Sequence, residues 1–102
     1  MKECCEKYLI EQFGNDAEVL DAIYAEYVSS VNVKAAEADA ALAAGAWDVL
    51  DRAAHTVKGN ALAAGDQQMA NAAIALRNAA KLQERDQAEG LIADLRALAE
   101  QL

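Results

Sequence analysis

Residues 47–70, WDVLDRAAHTVKGNALAAGDQQMA, contain most of one helix, the turn that ends it and the start of the next. Trp47, Leu50, Ala54, Val57, Ala61 and Ala64 recur at alternating steps of three and four, which places them on one helical face. Gly65 follows in the position that favours a left-handed helix cap, and Asp66 is of the type that accepts hydrogen bonds at a helix N-terminus. This segment predicts two helices folded against each other across a connection of a few residues.

The same reading extends in both directions. Upstream, Leu20, Ile23, Tyr27, Val31, Ala35, Ala38 and Leu42 form one stripe between a cap at Asn15 or Asp16 and a stop at Gly45. Before it, a short amphipathic segment from Lys2 to Phe13 closes at Gly14, which suits a left-handed cap. Downstream, Met69, Ala73, Leu76 and Ala80 continue the helix capped by Asp66. Asp86 with Glu89 resembles a capping box that opens a last helix through Leu91, Leu95, Leu98 and Leu102. The expected helices are 2–13, 16–44, 46–64, 67–84 and 87–101 in one domain, 1–102. Gly90 inside the last of them is expected to mark close backbone packing.

Composition agrees with this pattern. Proline is absent, and the 55% apolar fraction is rich in alanine, the strongest helix former. Short connections between long helices make neighbours antiparallel. The expected fold is therefore all-α, an antiparallel up-down-up-down four-helix bundle with a short additional N-terminal helix as a lid.

The net charge of −8 argues against nucleic acid and anionic membrane surfaces as partners. No stretch approaches a membrane span, and the N-terminus lacks a signal-like apolar core, so a cytoplasmic monomer is expected. Cys4 and Cys5 are adjacent and are the only cysteines, which predicts a reduced pair without function. One histidine cannot supply the ligands of a metal or haem bundle.

That histidine, His55, lies one position from the buried stripe, so its ring should reach water, with Asp51, Arg52, Lys58, Gly59 and Leu62 around it. Helical side chains lean toward the N-terminus. Lys58 therefore bends back over the imidazole while His55 leans toward Asp51 and Arg52. A phosphoryl group on Nε2 would find an ammonium at Lys58 and open room at Gly59, where a mid-helix glycine otherwise costs about 1 kcal/mol.

The run His55-Thr56-Val57-Lys58-Gly59-Asn60, preceded by Ala54 and followed by Gly65, resembles the histidine phosphotransfer (HPt) domain family, as do the apolar residues at Met69 and Leu76. The resemblance implies a phosphorelay carrier that takes phosphate from a receiver-domain aspartate onto His55 and delivers it to another receiver, with a hybrid sensor kinase as a further partner. It implies no ATP site and no cofactor on this chain, the acidic pocket and Mg²⁺ being the receiver's.

The family often places Glu or Gln directly after the fourth-helix apolar residue, where it accepts a hydrogen bond from the ring Nδ1. Here that residue is Arg77, which is donor-only. Asp51, Gln67 and Gln68 are then the candidate acceptors, and Arg77 and Lys81 add positive potential for the phosphate. Docking is expected on Leu62, with Leu9, Ile10 and Phe13 of the first helix either contributing or stapling the lid. The alternative is a helical interaction module without phosphotransfer. A fragment of a chemotaxis kinase shares the helical plan, but kinase parts are lacking, and helix on both sides of the motif reads as a standalone carrier.

Overall fold

The computed structural model describes residues 1–102 as five helices and no strands: α1 Glu3–Phe13, α2 Ala17–Ala44, α3 Trp47–Ala63, α4 Gln67–Lys81 and α5 Arg85–Glu100. The four longer helices pack in a ring, α2 on α3, α3 on α4, α4 on α5 and α5 back on α2, while α1 lies against α2. The molecule is 43 Å long, close to the roughly 42 Å that 28 helical residues span, so α2 runs its whole length. No helix is long and apolar enough to cross a membrane.

Alanine dominates the core. Ala54, Ala61, Ala70 and Ala73 are buried between larger side chains such as Leu50, Val57, Met69 and Leu76, which lets the helix axes approach closely. The stripes read for α2, α3 and α4 bury as a set, except that Ile23 and Trp47 are only half-buried and Tyr24 is buried as well.

The last helix departs from expectation. α4 ends at Lys81 rather than 84, because Gln83 adopts a left-handed φ of 53° with no glycine to announce it. α5 then begins at Arg85 with Glu84 at its N-cap, and no side chain caps it, so the Asp86–Glu89 capping box does not form. Its buried line is Ala88, Ile92, Leu95 and Ala99, with Leu91, Leu98 and Leu102 at the margins. The capping pattern and the leucine spacing both suggested a frame that the turn geometry displaces.

Two glycines also differ. Gly14 has positive φ but an extended ψ of −177°, so it is not a left-handed helical cap. Gly90 faces open space, with nothing within 4 Å of where a Cβ would stand, so close packing does not explain it. Gly90→Ala should raise stability by about 0.5–1 kcal/mol through helix propensity alone, measurable by urea unfolding.

Gly65 is the opposite case. It has a φ of 75°, and a Cβ there would overlap the Cβ and Cγ of Tyr8, through which α1 lies on the α3–α4 turn. Neither obstacle is a flexible side-chain end. Gly65→Ala should cost about 2–3 kcal/mol, from the left-handed backbone penalty plus displacement of α1. Unchanged thermal unfolding would show that Tyr8 does not rest there.

Beneath α1 lies a polar hub. Asp66 is fully buried and accepts from Lys2 Nζ at 2.9 Å, Tyr27 Oη at 2.8 Å and its own helix's Met69 N at 3.2 Å. Beside it, burial pushes the Cys5 thiol up to about 12, with the neighbouring Cys4 and Asp66 adding to the shift. Tyr27 is raised by burial and by its bond to Asp66, and Tyr24 by burial. Partial burial works against the charge of Lys2, yet the hydrogen bond and charge of Asp66 hold its pKa above the ordinary range.

All four shifts have one sign. The folded chain keeps protons that the unfolded chain releases, so this stabilisation is complete below the ordinary thiol value of 9.0 and declines as pH rises toward about 12. Urea midpoints should therefore fall between those limits. A midpoint constant to pH 12 would contradict the hub.

Candidate functional site

His55 sits mid-way along α3 with its side chain exposed, and the structure gives its ring no hydrogen-bond partner. Its neighbours Ala54 and Val57 are in the core, so the helix is anchored on one side and offers the imidazole to solvent on the other. Lys58 is half-buried and forms no ion pair; Arg52, one turn before His55, is exposed and also unpaired. Gly59 is exposed, and a Cβ there would meet nothing. The isolated chain thus gives no packing reason for that glycine, and the room it leaves is on the solvent side, one turn after the histidine.

Arg77 is not free. Its Nε donates to Asp51 Oδ1 at 2.9 Å, joining α4 to α3 one turn before His55, with each side chain 29% exposed. The contact fixes the register between these helices. Counting from it, Lys81 falls beside the start of α3, about 12 Å from His55 along the axis, so it is not brought to the imidazole.

Gln67 and Gln68 stand in the first turn of α4, and neither bonds to the imidazole. Gln67 Nε2 donates to Asn71 Oδ1, and Gln68 Oε1 accepts from Lys2 Nζ. Of the three candidate ring acceptors, only Asp51 shares a face with His55 at helical spacing.

The apolar candidates separate as well. Leu62 is 44% exposed two turns after His55, on its face of α3. Leu9, expected either to dock a partner or to staple the lid, is wholly buried in the core, because the apolar stripe of α1 faces the bundle. Ile10 packs against that core, and only Phe13 of the three projects into solvent. α1 docks by Tyr8 and Lys2 at the α3–α4 turn, about 15 Å beyond His55 in the direction of α3. Ile74 on α4, not singled out from the sequence, is exposed near the level of His55.

Charge is unevenly spread. α3 and α4 carry Arg52, Lys58, Arg77 and Lys81 against Asp48 and Asp51, a net positive stretch in a chain of net charge −8. No three His, Cys, Asp or Glu side chains converge so as to hold a metal ion. The arrangement offers one accessible imidazole, unpaired cations a turn to either side, and open space beside it.

No curated protein and no solved structure matches the chain. A family profile for the Hpt domain matches residues 22–102, leaving α1 and the start of α2 outside the match. With His55, Lys58 and Gly59 inside that span on one exposed helical face, the chain belongs to the Hpt domain family, whose members carry phosphoryl groups on histidine in phosphorelays.

Proposed function

We propose that this chain accepts a phosphoryl group on His55 Nε2 from the aspartyl phosphate of a receiver domain and passes it to a second receiver in the cytoplasm. The observation that carries the reading is the exposed, unpartnered His55 ring flanked by the unpaired Lys58 and Arg52. In the transfer the Nε2 lone pair forms the N–P bond as the acyl O–P bond breaks, and the aspartate leaves as carboxylate. The proton on Nδ1 stays on the ring. Lys58 offsets the charge of the phosphoryl oxygens, and the open space at Gly59 admits the partner.

The receiver brings its acidic pocket and Mg²⁺ to this site, so the chain itself positions rather than catalyses. The positive stretch on α3 and α4 steers an acidic partner face toward His55, and Leu62 supplies apolar contact. The scaffold reads as an up-down-up-down bundle in which successive helices are antiparallel. Connections of two or three residues support this, as do the Asp51–Arg77 contact and the Tyr24 hydroxyl bonded to the Leu102 carbonyl.

The test is incubation with a phosphorylated receiver, followed by acid and alkali treatment of the labelled carrier. A phosphoramidate is acid-labile and base-stable. Label that survives acid, or no label at all, removes the reading.

A further inference from the structure

We infer that Cys4 and Cys5 form a dithiol site for small-molecule disulfides, and that closure to a Cys4–Cys5 bond releases the first turn of α1 from the bundle. The chemistry needs neither His55 nor a receiver, so it stands apart from phosphotransfer. Adjacency alone argued for a reduced pair without function. Consecutive helical side chains point about 100° apart, so one thiol meets solvent and the next meets the core: Cys4 is exposed and Cys5 is wholly buried. Their sulfurs nevertheless stand only 4.0 Å apart.

The buried member sits beside the latch that holds α1. Lys2 Nζ donates to Asp66 Oδ1 and Gln68 Oε1, and the Lys2 backbone N donates to Tyr24 Oη. Adjacent Cα atoms are about 3.8 Å apart, less than the roughly 4.4–6.8 Å that disulfides usually span. A bond between these sulfurs therefore requires the peptide that joins them to leave helical geometry. Unwinding that turn draws Cys5 off the core and carries Lys2 away from Asp66. The closed bond and the docked first turn exclude each other, and that exclusion makes the pair a switch.

The exposed Cys4 thiolate attacks one sulfur of the incoming disulfide RSSR, whose S–S bond breaks to leave a mixed disulfide on Cys4 and one RS⁻. The Cys5 thiolate then attacks the Cys4 sulfur and expels the second RS⁻. Two thiols are oxidised to one disulfide, RSSR is reduced to two RSH, and the two thiol protons end on those products. The second step is gated by α1. Burial, with the neighbouring Cys4 and Asp66, holds the Cys5 thiol at about 12 while α1 is docked, so its thiolate forms chiefly when the turn lifts. Bond formation then traps the lifted state.

The test is treatment of the full chain with oxidised glutathione at mildly alkaline pH, read by intact mass after acid quenching and by amide hydrogen exchange. The product should be a monomer lighter than the parent by two hydrogens. Exchange at α1 amides should rise about tenfold or more while α2–α5 stay protected, and dithiothreitol should reverse both changes. Cys4→Ser alters only an exposed position and should show neither change. Cys5→Ala should stop at a glutathione adduct on Cys4, with α1 exchange no faster than in the same variant before oxidation.

A glutathione adduct that persists on Cys4 of the parent chain, a dimer linked through Cys4, or thiols that survive the treatment would each overturn the inference. So would a closed Cys4–Cys5 bond that leaves α1 exchange unchanged.

Discussion

His55→Gln is expected to bring phosphoryl acceptance from a phosphorylated receiver down to background while leaving the fold intact. The two halves of that expectation rest on the same observations. The ring is exposed and makes no hydrogen bond, so its removal opens no cavity and orphans no buried group. Surface changes of that kind alter stability by no more than about 0.5 kcal/mol. Glutamine keeps the approximate length and polarity of the side chain but has no nucleophilic nitrogen, because its amide lone pair is delocalised into the carbonyl. Receiver binding should persist, since Leu62, Lys58 and Arg52 are untouched. Measured side by side, label transfer should vanish while thermal unfolding and receiver affinity stay close to those of the parent chain. Transfer that survives would put the acceptor on another residue; a collapse of stability would mean that His55 is part of the packing.

The site could be read this far from sequence because its central parts lie on one helix. His55, Lys58 and Gly59 are related by helical spacing, and a stripe of Leu50, Ala54 and Val57 fixes which way that helix faces. The three helices whose stripes read well begin or end at Asp16, Gly45, Gly65 or Asp66, residues whose chemistry announces a boundary. α4 and α5 meet at Leu82–Gln83–Glu84, which carries no such signal, and there the boundaries and the buried line were displaced.

Long-range partners were not legible. The Asp51–Arg77 bond spans 26 positions and the Tyr27–Asp66 bond 39, and nothing in local spacing distinguishes either pair from solvated charges. Asp66 therefore read only as a cap. Leu9 stayed ambiguous for a related reason: an amphipathic stripe looks the same whether it meets the protein's own core or a partner.

Asp66→Ala is expected to cost about 3–4 kcal/mol, a large share of the roughly 5–15 kcal/mol typical of such a domain. Three losses combine. The α4 cap goes, at about 1 kcal/mol; the Tyr27 hydroxyl is left buried without its acceptor, at about 1–3 kcal/mol; and Lys2 loses the charge that holds its ammonium. Asp66→Asn should cost less, because the amide oxygen still accepts on one side, from Tyr27 or from Met69, although the charge and the second acceptor oxygen are lost. The damage should also be local before it is global. α1 is held to the bundle by Lys2, by Tyr8 over Gly65 and by the burial of Cys5 and Leu9, so weakening the hub should let α1 lift before the other helices separate. Cys4 is exposed and Cys5 is not, which makes thiol labelling a direct reading of that motion. In the parent chain Cys4 should react quickly and Cys5 slowly. In Asp66→Ala the Cys5 rate should rise well before the thermal transition while His55 still accepts phosphate. Unchanged Cys5 labelling in a destabilised variant would show that the hub braces the α2–α4 contact rather than α1.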